Sequence, residues 1–326
     1  MRAAGAPAAG APWLLLGGLG VLLMAAASLF IGRIPLGPAD LWRDPAAGEL
    51  LLVSRIPRTA AALLAGAALA VSGQIMQILA RSRFVEPMTA GAGQSAALGI
   101  LLAAMVFPAA PLWVKMGIAS LAALAGALGL MALLRPLPPT QPLLAPLTAL
   151  VYGGAIGAAT AFVAFQADMM QFVDTWLTGE LSGVLEGRYE LLWLAGGATV
   201  AAWFAADRLT LLGLGETTAR GLGLNVARAR ALGLGATALV TAVTVTTVGA
   251  IPFIGLVAPN LVSRWMGDDL RRALPVTALL GAGLVLGADI LGRVIRAPYE
   301  VPVAVLAGVL GGALFLAVLL RGPTRG

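Results

Sequence analysis

The chain has 326 residues, 60% hydrophobic and only 11% charged, with a net charge of +6. The charged share is under half the roughly 25% of an ordinary soluble domain, which argues against a water-soluble enzyme and for an integral membrane protein. There is no Cys and no His, so disulfides, thiolate or imidazole metal sites and Cys–His nucleophilic catalysis are excluded.

In chain order, apolar segments fall near residues 12–32, 57–80, 89–108, 112–134, 143–165, 189–207, 229–250, 253–266, 273–294 and 302–320. Most reach the roughly 20 residues that a 30 Å hydrocarbon core requires. They are continuously apolar, not alternating, which favours helices over a β-barrel. The expected fold class is all-α: a polytopic membrane protein with about ten transmembrane helices, the first of them too long for a signal-peptide core. The eighth segment is short, and its Pro252, Pro259 and Asn260 predict a broken helix shielded from lipid by its neighbours.

The 20 Arg and one Lys are scattered between the segments, whereas a nucleic-acid site needs them gathered. With ten crossings and a cytoplasmic N-terminus, 13 of the 21 basic residues fall inside, which favours both termini in the cytoplasm. The long polar intervals 33–56 and 166–188 then lie outside, and 208–228 lies inside. No separate catalytic domain fits, so residues 1–326 read as one membrane domain. An energised transporter of this kind needs its engine on another chain, unless ions drive it.

Four stretches carry further information. In residues 54–99, Gly66, Ala70, Gly73 and Gln77 follow a helical period and make a face small enough for close helix approach. Gln74, Gln77 and Arg81 are expected on one side of that helix, where the amides either glue helices together or line a polar path. Arg55 and Arg58 stand at an expected helix start, an unfavourable place for cations in the helix dipole. They read either as lipid anchors or as contacts for an acidic partner. In residues 213–233, Gly221 and Gly223 punctuate a polar stretch, suggesting short helices and turns against the membrane surface. Its Arg220, Arg228 and Arg230 read as positive-inside anchors or as a docking surface for a cytoplasmic partner.

In residues 244–275, Thr244, Thr246 and Thr247 are expected to satisfy their hydroxyls on their own helix. Asp268 or Asp269 is expected to cap the helix that follows. In residues 287–312, Asp289 and Arg293 are spaced i,i+4 and are expected to pair, and Glu300 precedes a helix start, where an anion is favourable. Arg293 also suits a positive outer rim with Arg55 and Arg58.

Together, RIPR with GAALAVSGQIMQ, then EPMTAGAGQSAALG, GETTARGLG, GAIPFIGLVAPNLVSRWMGDD, and ADILGR with YEVP resemble the iron-siderophore permease family of bacterial ABC importers (FecCD). The likeness is to its catecholate or petrobactin-type branch and more distantly to cobalamin permeases. Asn260 stands where many relatives carry His, and Ser82, Arg83 and Phe84 where they carry Asn-Pro-Leu. The resemblance implies a type II ABC importer permease fold in the cytoplasmic (inner) membrane. It implies a second permease subunit, identical or related, two cytoplasmic ATPase subunits that bind the ATP and Mg, and a periplasmic or lipoprotein siderophore-binding protein. The cargo is then an intact ferric siderophore, with no cofactor on this chain.

By the same resemblance Arg55, Arg58 and Arg293 meet acidic residues of the binding protein. Glu216, Arg220, Asn225 and Arg228, within a coupling segment at 208–228, meet the ATPases. Gln74, Gln77, Pro252, Pro259 and Asn260 lie near the path or in its packing. The rival reading is an ion-coupled secondary transporter of a small solute, for which Asp289 is the one plausible carboxylate.

Overall fold

The computed structural model describes residues 10–32, 37, 39, 45–138, 141, 143–267 and 269–320. Both termini, Arg33, Arg43 and Asp268 lie outside the described residues. Every regular element among those described is helical: α1 (Gly10–Phe30), α2 (Pro45–Leu50), α3 (Ile56–Leu79), α4 (Ala92–Val106), α5 (Leu112–Leu134), α6 (Leu144–Gln166), α7 (Met170–Leu177), α8 (Leu192–Phe204), α9 (Ala206–Gly213), α10 (Glu216–Gly221), α11 (Val226–Val248), α12 (Ile254–Met266), α13 (Leu270–Val294) and α14 (Val303–Leu320).

Each of the ten expected apolar segments holds a helix. Among the described residues, five runs are both long and apolar enough to cross a membrane: Pro45–Leu79, α5, α6, α11 and α13. Parts of α1 and α14, and all of α4, are apolar but shorter. The segment expected at 189–207 does not run through, because α8 stops at Phe204 and α9 restarts at Ala206. The eighth segment is short as expected: α12 has 13 residues with Pro259 inside, and Phe253 before it takes a left-handed conformation at φ 67°.

One polar interval is shorter than its composition implies. The chain is helical from Pro45, and a π-turn over Leu51–Arg55 carries α2 into α3 as one 35-residue run. Arg55 and Arg58 are therefore not at a helix N-terminus, and the dipole penalty expected for them does not arise. At the far end of α3, Arg81 lies beyond the cap at φ 52°. It thus leaves the face that Gln74 and Gln77 were expected to share with it.

Burial separates the centre of the bundle from its flank. The most apolar windows of α11 and of the α2–α3 run are 72% and 67% buried, against 22% for α6. The small-residue face of α3 is divided between two neighbours. A Cβ on Gly66 would lie 2.4 Å from the Gly281 carbonyl of α13, and one on Gly73 would press on Gly255 of α12. Glycine at these two positions lets three backbones meet. Leu69, Ile75 and Met76 of α3 and Ile251 fill the interior around them.

Candidate functional site

At the N-terminal end of α3 the sequence brings five charged side chains together. Arg58 donates from Nη2 to Asp289 Oδ1 at 2.7 Å and from Nη1 to Glu300 Oε2 at 2.8 Å. The expected Asp289–Arg293 pair is present one helical turn apart on α13. Arg293 also donates to the Ser28 carbonyl at 2.9 Å, the Ile31 carbonyl at 2.7 Å and Ser28 Oγ at 2.6 Å. Arg55 donates to the same Ile31 carbonyl, and Ser28 and Thr59 join their hydroxyls at 2.9 Å. One network thus ties α1, α3, α13 and the turn before α14.

Its members are withdrawn from solvent: Arg55 is 7% exposed, Arg293 6% and Asp289 3%. Such cations hold the bundle through their bonds and do not snorkel to headgroups, because breaking one buried partner strands the other charge at several kcal/mol. Glu300 answers Arg58 instead of standing only as an anion before a helix.

Midway along the bundle, α12 is held by donors and acceptors from elsewhere. Pro259 has no N–H to offer the Gly255 carbonyl one turn back. That carbonyl accepts from Gln77 Nε2 of α3 at 3.3 Å. Asn260 donates from Nδ2 to the Arg83 carbonyl and to the Leu256 carbonyl, both at 2.7 Å, and so ties α12 to the α3–α4 connection. Pro252 lies in the non-helical link before α12. Gln74 is 5% exposed and its Oε1 has no partner among the described residues. Gln77 thus supplies the donor that Pro259 withholds, while Gln74 keeps an unused acceptor.

The threonine expectation holds for one residue of three. Thr246 bonds back to Ala242 and Val243, but the hydroxyls of Thr244 and Thr247 have no partner among the described residues.

At the opposite end, Glu216 opens α10 and gathers three arginines: Arg81 at 3.4 Å, Arg220 at 3.5 Å, and Arg230. Asn225 caps α11, its Oδ1 accepting from the Arg228 amide at 3.0 Å. Arg228 and Arg230 thus sit in the first turns of a long helix, because the Asn225 cap starts α11 at Val226. Asp269 caps α13 through the Arg271 amide at 3.1 Å. Leu212, Ala219, Val226 and Ala229 close a small core beneath, leaving Leu214 and Leu222 about 60% exposed.

Residues 20–321 match the FecCD transport family. The chain belongs to that family. It is 39% identical over 302 residues to the petrobactin import system permease protein YclN of Bacillus subtilis, covering 92% of this chain and 96% of that one. It is 40% identical over 272 residues to the ferric-anguibactin transport system permease protein FatD of Vibrio anguillarum, with 83% and 87% covered. A solved inward-facing structure described as a metal-chelate type ABC transporter shares the fold at a TM-score of 0.80 and 25% identity, covering 95% of this chain and 99% of that one.

Sequence reasoning about this FecCD chain missed Glu86. It lies in the connection between α3 and α4, 1% exposed. Its Oε1 accepts from the Phe253 amide at 3.0 Å, and the Gly255 and Leu256 amides also point at it. The available signal was the single acid of the α3–α4 connection, a group that the free amides of a helix start can hold. Among the described residues, no group of three or more carboxylates is placed to hold a metal ion.

Proposed function

We propose that this chain is the permease subunit of an ABC importer that carries an intact ferric siderophore across the bacterial cytoplasmic membrane. The observation that carries the reading is near-full-length similarity to permeases named for petrobactin and ferric-anguibactin. In this reading ten helices, α1, α3 to α6, α8 and α11 to α14, cross or enter the bilayer, α12 as a short broken one, with both termini and the Glu216 end in the cytoplasm. Two such subunits, identical or related, enclose the path. Two ATPase subunits, which hold the ATP and Mg, dock on the 208–228 segment. The exposed Leu214 and Leu222 beside Arg220 and Arg228 support that surface, and the Asn225 cap fixes its junction with α11.

A periplasmic or lipoprotein binding protein delivers the cargo at the Arg58 end. There three guanidinium groups face two carboxylates, an excess of one positive charge, and the exposed Arg296 follows on the same helix end. Docking through Arg55, Arg58 and Arg293 then requires the partner's carboxylates to compete with Glu300. The chelate passes near Gln74, Gln77, Pro252, Pro259 and Asn260. With neither Cys nor His the chain offers iron little beyond sparse oxygen donors, so the chelate crosses without ligation by the permease.

The test is uptake of ferric siderophore by proteoliposomes holding the permease, its ATPases and its binding protein. Uptake should require ATP hydrolysis. Uptake that survives without hydrolysis and collapses with the proton gradient would establish the second reading, an ion-coupled carrier. That reading draws on Glu86, a carboxylate inside the bundle, and no longer on Asp289, which is bound to two guanidiniums near the start of α3.

A further inference from the structure

We propose that the cavity between the C-terminal ends of α3 and α5 and the start of α10 binds the headgroup of an anionic phospholipid. The cavity holds about 180 Å³, an order of magnitude more than the roughly 10–15 Å³ that admits one water. Its polar wall carries Arg81, Arg135 and Arg230 against a single carboxylate, Glu216, an excess of two positive charges. Glu216 is already shared by Arg81, Arg220 and Arg230. Arg135, at the C-cap of α5, makes no side-chain hydrogen bond or ion pair among the described residues, and it is exposed. A phosphate set between Arg135 and Arg81 would supply the missing acceptor by charge-assisted hydrogen bonds.

Apart from Gln141, the remaining wall is apolar, with Met131 and Leu134 of α5 and Leu79 of α3. It adjoins a membrane-length helix whose Leu121, Leu128 and Leu133 are 46–68% exposed, a path for an acyl chain. A free anion has no use for that apolar wall, and a zwitterionic headgroup brings a cation that the two excess charges repel. The proposal therefore names a diacyl lipid of net negative charge, such as phosphatidylglycerol. It needs only that these helices meet the headgroup layer, so it stands apart from the transport reading.

The experiment measures exchange of labelled phosphatidylglycerol and phosphatidylcholine on the purified full-length permease by native mass spectrometry. Phosphatidylglycerol should be retained preferentially. Arg135→Gln should weaken it about fivefold, and Arg135→Gln with Arg81→Gln about 25-fold, since each surface arginine contributes about a factor of five. Arg135→Gln breaks no bond among the described residues, so it separates lipid loss from misfolding. Arg272→Gln, whose side chain is 73% exposed outside the cavity, should leave retention unchanged. Equal retention of the two lipids, or an Arg135→Gln protein that binds as before, would overturn the proposal. So would displacement of the lipid by millimolar inorganic phosphate, which would mark the cavity as a free-anion site.

Discussion

Arg58 near the start of α3 and Arg81 just past its end both share a carboxylate with other arginines, yet the two clusters stand in opposite surroundings. Asp289 is 3% exposed and takes Arg58 and Arg293, whose own bonds reach α1. Glu216 is 32% exposed at its side chain and takes Arg81, Arg220 and Arg230, themselves 39–69% exposed. Identical chemistry is an internal brace at one end and a loosely held, solvated hub at the other. The difference suits a fold that is fixed where its helices must stay together and adjustable where another chain is expected to push on it.

The largest test of that contrast is Asp289→Ala. It strands two buried guanidiniums, so the protein should lose about 3–5 kcal/mol, read as a fall in the thermal unfolding midpoint in detergent. A drop no larger than that of a surface variant would remove the brace. Glu86 tests the case of a buried acid without a cation. Glu86→Ala leaves the Phe253 amide without its acceptor and should cost about 1–3 kcal/mol in the same measurement. A loss no larger than that of a surface variant would show that the start of α12 does not depend on this carboxylate.

Smaller still is Gln77→Ala, which leaves the Gly255 carbonyl without its donor and should cost about 1 kcal/mol in the same unfolding measurement. At the solvated end Arg220→Ala should change stability by less than about 1 kcal/mol. It should nevertheless weaken co-purification of the ATPase subunits. A large stability loss with normal ATPase binding would invert the contrast between the two ends.

What was legible in the sequence follows the range of the interaction. The ten apolar segments, the shortness of the eighth, the Asp289–Arg293 spacing and the Asp269 cap are encoded within a few residues, where helical period and cap chemistry speak directly. The Arg58–Asp289 pair joins residues 231 apart, Glu86 meets Phe253 across 167, and Gln77 meets Gly255 across 178. Those pairings depend on which helices become neighbours, and no local pattern states that. The break at Ala205 and the helical continuation through Arg55 were hidden for a related reason: composition reports apolarity, while the neighbouring helices and loops decide where a helix stops.

Three prolines inside helical runs share a further property. Pro57, Pro259 and Pro275 each leave the carbonyl one turn back without its usual donor. In every case a distant group takes its place: the Glu186 amide on Val53, Gln77 on Gly255 and the Trp203 indole on Arg271. Backbone bonding that a helix would keep to itself is lent to another part of the chain. Each such bond couples one helix to another, and a sliding motion between them would release about 1 kcal/mol at a known carbonyl, small enough to be broken and remade in every transport cycle.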